Sequence, residues 1–389
     1  MTGSPAELAA AARARESSAM ARARESRAMA RARESRAMAQ ARESSAMARA
    51  RELGESVLGT TSPNPAVGAV VLAADGGLAG EGATAPPGGP HAEVRALAQA
   101  GDRARGGTAV VTLEPCAHTG RTGPCADALL AAGVARVVVA VPEPTGLAGG
   151  GAERLRAAGV DVELGVEREA AEEGALGAWL TGVREQRPQV VWKVGATLDG
   201  RVAAADGTSR WITGATARAA VHALRATCDA VVVGSGTALA DDPQLTVRDA
   251  EGRDAARQPL RVVHDRRGRL PATARVLDDA APTHVSAAAG PAELLAELFD
   301  RDVRRVLLEG GPTLAAAFLR EGLVDEAVVH LAPTLLGAGP SLVGDLGIST
   351  ISAALSLEVR DVTLLGGDVQ IRLRPTRHTG DRPHVHERG

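Results

Sequence analysis

The chain of 389 residues contains no tyrosine, two phenylalanines and three tryptophans. It has one lysine, Lys193, and one asparagine, Asn64, because arginine has displaced almost all lysine. Binding of single-stranded nucleic acid uses aromatic side chains on which bases stack, together with a basic groove. The net charge of −3 and the shortage of aromatic residues therefore argue against a nucleic-acid or membrane-surface protein.

Two further absences narrow the class of protein. Three cysteines in 389 residues exclude a disulfide scaffold and favour a cytoplasmic location. The sequence has no run of 18 apolar residues, so we expect no membrane span. A hydrophobic fraction of 45% over this length predicts two or three domains, each with its own core.

The single lysine and the single asparagine are candidates for functional positions. A composition that has replaced both residue types elsewhere retains them where an ammonium or a carboxamide is needed, since lysine and arginine are not interchangeable at fitted sites. The alternative is that each has survived by chance.

Residues 17–52 form four nine-residue repeats, SSAMARARE, SRAMARARE, SRAMAQARE and SSAMARARE. Their composition favours helix. Nine residues make about two and a half helical turns, so successive methionines lie on opposite faces and no continuous apolar stripe results. We therefore expect residues 1–46 to form an exposed or disordered extension. Residues 1–52 carry 11 Arg and 6 Glu, which leaves the rest of the chain with a net charge of −8.

After residue 47, strand-like and helix-like segments alternate with short connections, which predicts an α/β fold. The first half contains VGAVVLA at 67–73, HAEVRALAQ at 91–99, TAVVTL at 108–113, CADALLAAG at 125–133 and ARVVVAV at 135–141. A helical pattern over 166–185 is followed by a second α/β series from 189 to 375. We predict domains at 47–185 and 186–375, and a disordered tail at 376–389.

The first half contains a pattern typical of a zinc enzyme. His91 and Glu93 open a helix, Cys116 follows a strand, and Cys125 opens another helix. One imidazole and two thiolates leave a fourth zinc position open, as catalysis requires. Zinc lowers the pKa of a bound water to about 7, and a neighbouring carboxylate such as Glu93 can carry a proton from that water to a leaving amine. H-x-E followed by P-C and a second Cys is the signature of zinc nucleobase deaminases, in which two residues separate the cysteines. Here eight residues separate Cys116 from Cys125.

Two interpretations of this pattern that involve no catalysis remain open. The zinc site could be closed and structural, with His118 as the fourth ligand. The two cysteines could also be buried thiols with a histidine on the surface.

With the segments TSPNPAVG at 61–68, HAE at 91–93 and PCAHTGRTGPC at 115–125, this half resembles the deaminase half of the bifunctional riboflavin-biosynthesis deaminase–reductases. The resemblance implies zinc ligands His91, Cys116 and Cys125, with Glu93 as the proton shuttle. It also implies substrate contacts from Asn64, His118 and Arg121. A carboxamide fits the edge of a pyrimidinone, although Asn64 could also be a turn residue between two prolines.

The chain departs from the usual pattern of this family at four positions. A histidine is frequent where Thr84 stands, and a proline is usual at Gly123. A D-P-N-P segment is replaced by residues 143–146, with Thr145 in place of the asparagine. In the second half, Arg266 stands where the family usually has Ser or Thr.

Two glycine-rich turns follow β-branched runs in the second half, at Gly234-Ser235-Gly236 and Gly310-Gly311-Pro312. Each is compatible with a plain strand-to-helix turn. Pro312 at a helix start could place main-chain NH groups against a phosphate. The first turn lacks the third glycine of a dinucleotide fingerprint, so a Rossmann domain is poorly supported.

Together with VWKVGATLDGRV at 191–202 and SRWITG at 209–214, these turns resemble the reductase half of the same enzymes, which has a dihydrofolate-reductase-like fold. The combined resemblance extends from Met47 to Arg374. It implies cofactor contacts from Gly195, Trp211, Thr237, Asp241, Gly311, Pro312, Thr313, Leu314, Ala315, Ala316 and Ala317. It implies substrate contacts from Ser209, Arg225, Leu245, Arg248 and Glu309.

Individual residues of this half have their own rationale. Guanidinium groups such as those of Arg225 and Arg248 bind phosphate with two hydrogen bonds, although both could be ordinary surface arginines. Lys193 is the candidate for polarising or protonating the substrate. Cys228 belongs to no motif and is expected to be a small buried residue.

We therefore expect a bifunctional enzyme with one Zn²⁺ per chain and NADPH as cofactor. Its N-terminal half would deaminate a phosphoribosylaminopyrimidine, and its C-terminal half would reduce the ribosyl group to ribityl. The expected partners are a small-molecule substrate and further copies of the chain. The alternatives are a polynucleotide base deaminase, or an active reductase joined to a deaminase half that serves only as a zinc-stabilised structural module.

Overall fold

A computed structural model describes residues 5–118, 123–146, 149–249 and 251–376. The chain divides into two compact units, one built on a five-stranded sheet and the other on an eight-stranded sheet. The predicted α/β fold is confirmed in both. Among the described residues, none of the helices has both the length and the apolar character that a membrane span requires. The predicted tail lies outside the described residues, apart from Thr376.

The nine-residue repeats belong to one long helix, α1, over Pro5–Ser56. Met20, Met29 and Met38 are each more than half exposed, whereas Met47 in the fourth repeat is fully buried. Equivalent positions of the repeats thus differ in environment, because among the side chains of α1 that the structure describes the buried ones lie near its carboxyl end.

Packing of α1 begins shortly before Met47. Arg42 donates to the main-chain oxygen of Asp75 at 2.9 Å, and Glu43 accepts a hydrogen bond from Arg136 at 2.7 Å. Both contacts involve residues that the sequence placed in the extension.

The first unit has strand order β2-β1-β3-β4-β5. β1 pairs antiparallel with β3, whereas β3, β4 and β5 are parallel. Its strands are β1 Gly68–Leu72, β2 Leu78–Ala83, β3 Thr108–Leu113, β4 Arg136–Val141 and β5 Asp161–Leu164. The valine-rich β1, β3 and β4 are buried almost throughout, as expected of strands covered on both faces.

Helices α2 Ala92–Ala100, α3 Cys125–Ala132 and α4 Gly151–Ala157 belong to the first unit. The start of α2 lies directly on β2, because a Cβ at Gly82 would come within 2.3 Å of the main-chain oxygen of Ala92. A glycine is therefore required where this helix crosses the strand. The close approach fixes the first turn of α2, which carries Glu93.

The 166–185 segment forms two helices, α5 Arg168–Glu173 and α6 Gly177–Glu185. Residues 169–185 group with the second unit. Glu173 pairs there with Arg360 at 2.7 Å and with Arg374. These pairs join α5 to distant parts of the chain, a relationship that local periodicity does not encode.

The second unit has strand order β12-β13-β11-β6-β10-β7-β8-β9. The strands from β11 to β9 in this order are parallel, and β13 and β12 add antiparallel pairs at one side. The strands are β6 Gln189–Thr197, β7 Ala230–Gly234, β8 Leu260–His264, β9 Thr283–Ser286, β10 Arg305–Leu308, β11 Glu326–Ala332, β12 Leu357–Leu365 and β13 Asp368–Pro375.

Two apolar clusters fill the two faces of this sheet. Alternate residues of β6 enter opposite clusters: Val190 and Trp192 pack on one face, and Val191 packs on the other with Cys228. The helices of the second unit after β6 are α7 Ala215–Ala226, α8 Ser235–Asp241, α9 Pro291–Phe299 and α10 Pro312–Arg320. Because the central strands are parallel, their carboxyl ends meet at one edge of the sheet.

Candidate functional sites

His91, Cys116 and Cys125 form the one group of three or more potential metal ligands among the described residues. Their ligand atoms all lie within 4.8 Å of one another, and both cysteines are buried. His118, the possible fourth ligand of a closed site, is not part of this group. The three donors match the set of a catalytic zinc site with an open position.

The surroundings of the two thiols also fit a bound cation. The main-chain NH of Cys125 donates to Sγ of Cys116 at 3.3 Å. The pKa of the Cys125 thiol lies far above its ordinary value because it hydrogen-bonds to Cys116, is buried and lies beside the carboxylate of Glu93. Zn²⁺ supplies the positive charge that converts such thiols into thiolate ligands.

Glu93 lies in the first turn of α2 and is 5% exposed. Its carboxyl group is within hydrogen-bonding distance of Cys125. A buried carboxylate at the edge of a zinc site is positioned to move protons without being a ligand itself.

The position of Cys116 depends on a residue that the sequence analysis did not single out, Glu114. The two oxygens of its carboxylate accept the main-chain NH groups of Glu143, at 3.1 Å, and of Ala152, at 3.0 Å. A Cβ at Gly151 would lie 1.8 Å from the oxygen of Pro115, so only glycine fits at the start of α4. The signal in the sequence was the acidic residue directly before Pro115-Cys116.

The predicted substrate contacts of this half are placed only in part. Asn64 is exposed, and its main-chain NH donates to the oxygen of Thr61 at 2.8 Å, which closes a turn. His118 is exposed, and Arg121 lies outside the described residues. Their roles remain predictions.

Thr84 has a structural role in the same half. It is buried, and its hydroxyl oxygen accepts the main-chain NH of Val67 at 3.1 Å. Its own main-chain NH donates to the oxygen of Val67 at 2.9 Å. These bonds hold the end of the 61–68 segment. Thr145, another departure, hydrogen-bonds to Glu143 at 2.6 Å.

The second unit contains a cavity of about 930 Å³ at the carboxyl ends of its parallel strands. Lys193 and Glu309 line it, each on or just after a neighbouring strand. Of the residues predicted to bind cofactor or substrate, it is also lined by Gly195, Ser209, Thr237, Asp241, Gly311, Pro312, Thr313, Leu314 and Ala317.

The remaining predicted residues of the second half are placed differently. Ala315 and Ala316 are buried on the inner face of α10. Trp211 is 69% exposed, and the guanidinium of Arg218 lies 4.5 Å from its ring centre. Leu245 is buried with a φ of +58°, a backbone conformation that is unfavourable for leucine.

Arg248 forms local contacts. Its main-chain NH donates to Nδ1 of His222 at 3.1 Å, and its guanidinium lies 3.6 Å from the carboxylate of Asp254.

Lys193 lies close to two buried charged residues, Arg225 and Glu309. Arg225 donates two hydrogen bonds to Glu309, at 2.6 and 2.8 Å. Burial opposes ionisation of Glu309, but the positive charges of Arg225 and Lys193 outweigh it and lower the pKa of the carboxyl group. Burial lowers the pKa of Lys193, partly offset by Glu309, so its ammonium is a stronger acid than an exposed lysine.

The cavity also fits a dinucleotide cofactor. Two glycine-rich turns, 234–236 and 310–311, line it without side chains that would fill it. Arg266, Arg267, Arg269 and Arg320 supply positive charge to the same lining. A large crevice at the carboxyl ends of parallel strands is the usual position of a nucleotide in α/β sheets.

Comparison with known proteins agrees with both sites. Residues 40–141 match the cytidine and deoxycytidylate deaminase zinc-binding region, and residues 188–371 match the RibD C-terminal domain. These matches and the site geometry define a zinc-dependent deaminase domain joined to an NADPH-dependent reductase domain with a dihydrofolate-reductase-like fold.

Relatives that this chain matches over nearly their whole length show which family it belongs to. The chain is 49% identical to riboflavin biosynthesis protein RibD of Mycobacterium tuberculosis over 82% of this chain and 93% of that protein. Its identity to RibD of Escherichia coli K12 is 40%, over 81% and 94%. The chain therefore belongs to the RibD family of riboflavin-biosynthesis enzymes.

Solved structures show the same relationship. Acinetobacter baumannii RibD is 41% identical with a TM-score of 0.77, over 86% of this chain and 99% of that chain. A Thermotoga maritima diaminohydroxyphosphoribosylaminopyrimidine deaminase/5-amino-6-(5-phosphoribosylamino)uracil reductase is 35% identical with a TM-score of 0.78, over the same shares. The expected deaminase and reductase functions are confirmed at the level of the family, and neither a polynucleotide deaminase nor a purely structural first half is favoured.

Proposed function

We propose that this chain hydrolyses the 2-amino group of 2,5-diamino-6-(5-phosphoribosylamino)pyrimidin-4(3H)-one and then reduces the ribosyl group of the product. The observation that carries the proposal is the His91, Cys116 and Cys125 cluster with Glu93 beside it, in the same chain as the cavity around Lys193. One chain thus contains a donor set for hydrolysis and a pocket for hydride transfer.

In the first reaction, His91, Cys116 and Cys125 would hold Zn²⁺, which when bound would activate water for attack at the carbon that bears the amine. Glu93 takes a proton from the attacking water and delivers it to the amino group. The C–N bond breaks, ammonia leaves, and a carbonyl replaces the amine. Burial of Glu93 keeps bulk water from competing for this proton.

In the second reaction, the cavity lining would hold NADPH, which when bound would supply a hydride for C1′ of the ribosyl group. The bond from C1′ to the ring oxygen breaks, and that oxygen takes up a proton. Lys193 is the proposed donor, because its lowered pKa makes the ammonium a stronger acid. The products are NADP⁺ and the ribitylamino compound.

The proposed substrate contacts of the reductase half depend on the charge and polarity of the side chains. Glu309 and Arg225 form a neutralised pair, and the third nitrogen of the guanidinium, Nη1, donates to the main-chain oxygen of Thr246 at 2.9 Å. The pair orients Glu309 towards the cavity, where it accepts hydrogen bonds from sugar hydroxyls. Ser209 and Arg248 are proposed to contact the phosphate side of the substrate, and Leu245 its apolar face.

We also propose that the protein forms a homo-oligomer in the cytoplasm. β12 lies at the end of the strand order, and its Val359, Val362 and Leu364 are each more than half exposed. An exposed apolar edge strand is a usual site of subunit contact. Size-exclusion chromatography with light scattering should give a mass above one chain, and a Val362→Lys, Leu364→Lys variant should give the mass of one chain.

The proposed activities are tested in two stages. Purified protein is incubated with the diamino substrate without NADPH, and ammonia is measured. NADPH is then added and its absorbance at the reduced nicotinamide band is followed. Ammonia in the first stage and NADPH oxidation in the second support the proposal, whereas no ammonia from zinc-loaded protein contradicts the proposed deaminase.

A further inference from the structure

Lys193 and His330 lie on the same face of the eight-stranded sheet, on the neighbouring parallel strands β6 and β11. In the register of these strands, Lys193 pairs with Val328 and Gly195 pairs with His330. Val328 packs in the same apolar cluster as Val191, and residues two apart on a strand point to the same face. Lys193 and His330 are therefore diagonal neighbours, a separation that a long side chain can span.

Gly195 leaves room for the two side chains to approach each other. A Cβ at Gly195 would lie 3.5 Å from Nζ of Lys193, so the lysine side chain extends along its own strand and over the glycine. His330 is directly across from this glycine, at an inter-strand spacing of about 4.8 Å. The ammonium thus lies where a side chain at position 195 would otherwise face the histidine.

His330 is a buried histidine with one unused ring nitrogen. It is 1% exposed, and its Nε2 lies 3.1 Å from Oε1 of Gln370, its pairing partner on β13. Because a carboxamide oxygen only accepts hydrogen bonds, Nε2 carries the proton, which leaves the lone pair of Nδ1 as an acceptor. Among the residues that the structure describes, Nδ1 has no hydrogen-bond partner. A buried acceptor of this kind is rare in folded proteins and calls for a donor.

The surroundings keep His330 uncharged. Burial and the positive charge of Lys193 lower the pKa of His330 below its ordinary value. The side chains of Gln370, Asp368 and Glu309 raise it by less. A neutral imidazole accepts a hydrogen bond from an ammonium, whereas an imidazolium repels it. Within the described parts of the chain Lys193 forms no hydrogen bond, so its ammonium can be that donor.

A second acceptor lies close to the same glycine. Cγ2 of Thr213 would be 3.3 Å and Oγ1 3.9 Å from a Cβ at Gly195. The main-chain NH of the next residue, Gly214, donates to Oδ2 of Asp368 at 2.6 Å, which holds this segment against the start of β13. The hydroxyl of Thr213 is therefore the alternative acceptor for the ammonium and needs its own test.

We propose that His330 is a positioning residue of the reductase, whose Nδ1 accepts a hydrogen bond from the ammonium of Lys193, directly or through one water molecule, and holds it at the cavity wall. Lys193 and Gly195 line the cavity, whereas His330 lies outside its described lining, so the histidine acts through the lysine. Gln370 determines which ring nitrogen is the acceptor. The proposal rests on the proposed role of Lys193 as the proton donor.

The test compares three substitutions of His330 in the full chain. The amide of asparagine occupies the position of Nδ1, the amide of glutamine occupies that of Nε2, and leucine keeps the volume without either nitrogen. His330→Asn, His330→Gln and His330→Leu are therefore measured beside Thr213→Val and a control, His284→Leu. His284 lies on β9, where it bonds to Glu297 at 3.1 Å, outside the cavity lining.

The measurements are kcat and KM for NADPH, the pH profile of NADPH oxidation on substrate that is already deaminated, and the Kd of NADPH. Loss of an acceptor for the ammonium lowers the pKa of Lys193, so the alkaline limb should move to lower pH in His330→Leu and His330→Gln. Their kcat should fall by about tenfold, since the lost hydrogen bond involves a charged group. KM should stay within about twofold, because His330 does not contact the cofactor.

His330→Asn should restore both kcat and the position of the limb, while Thr213→Val and His284→Leu should behave as the parent does. Glu309 and Arg225, the other charged groups that act on Lys193, are present in every variant. A mere structural role for the bond to Gln370 predicts the opposite order, with recovery in His330→Gln and not in His330→Asn.

An unchanged limb in His330→Leu overturns the proposal, and so does recovery by glutamine in place of asparagine. A limb that moves in Thr213→Val but not in His330→Leu assigns the ammonium to the threonine instead. If His330→Leu no longer binds NADPH, the comparison of asparagine with glutamine decides alone. A parent that binds NADPH but does not oxidise it contradicts the proposed reductase function rather than the role of His330.

Discussion

Arg225 forms a two-point ion pair with Glu309, which lines the reductase cavity, through Nε to Oε1 at 2.6 Å and Nη2 to Oε2 at 2.8 Å. Lys193 lines the same cavity, and its pKa is lowered by burial, raised by Glu309 and lowered by Arg225. The pair thus carries no net charge but sets the field in which the only lysine of the chain titrates.

Replacing Glu309 should change the pH dependence of reduction. Glu309→Gln removes the anion that favours the ammonium form of Lys193, so the pKa of Lys193 should fall further. Activity that depends on protonated Lys193 is present below this pKa and lost above it. The alkaline limb of kcat/KM for NADPH oxidation should therefore move to lower pH. Glu297→Gln, which lies outside the cavity lining, should leave the limb in place; a limb that stays or rises in Glu309→Gln contradicts the role given to Lys193.

Lys193 itself should be essential to the second reaction alone. Lys193→Met keeps most of the side-chain volume but removes the ammonium, so NADPH oxidation should fall by about 10²-fold or more while ammonia release is unchanged. Lys193→Arg should also be impaired, because a planar guanidinium does not reproduce a compact ammonium. Reduction at the parental rate by Lys193→Arg would show that the lysine has survived by chance.

Glu93→Gln should affect only the first reaction. The substitution keeps the shape of the side chain and all three zinc ligands but removes the group that moves the proton. Deamination should fall by about 10²–10⁴-fold, while elemental analysis still gives one zinc per chain. Reduction of substrate that is already deaminated should persist. Loss of both reactions in this variant would show that the two sites are not independent.

Truncation should separate the exposed repeats from the packed end of α1. Removal of residues 1–39 takes away the exposed methionines and should leave both activities within about threefold of the parent. Removal of residues 1–46 also takes away the contacts of Arg42 and Glu43 and the buried Ala46. This longer deletion should lower Tm by a further few degrees, since about 1 kcal/mol corresponds to about 2–4 °C for a domain of this size. Equal Tm values for the two truncations would contradict the packing of residues 42–46.

Much of the metal centre could be predicted from the sequence, because its residues lie at the ends of segments with clear periodicity. The strand predicted at 108–113 has the same bounds as β3, and Cys125 is the first residue of α3, as expected. Only the grouping of the three ligands needed the structure, since their closeness depends on how β3, α2 and α3 pack.

Other features had no local signal. The strand β2, with sequence LAGEGA, shows no alternation of apolar and polar residues, because its glycines are there to admit α2. The two hydrogen bonds of Glu114 join residues 29 and 38 positions away along the chain. Arg266 and Arg267 resemble any other arginines in a chain with 44 basic residues, and only the strand order places them beside the glycine-rich turns.

One chain contains both the site for a hydrolytic deamination and the site for the reduction that follows it. The most direct measurement is the ratio of ammonia released to NADPH oxidised by zinc-loaded protein acting on 2,5-diamino-6-(5-phosphoribosylamino)pyrimidin-4(3H)-one. The account predicts one ammonia per NADPH at completion, and ammonia appearing before NADPH is consumed. NADPH oxidation without ammonia, or ammonia release with no NADPH oxidised, would contradict it.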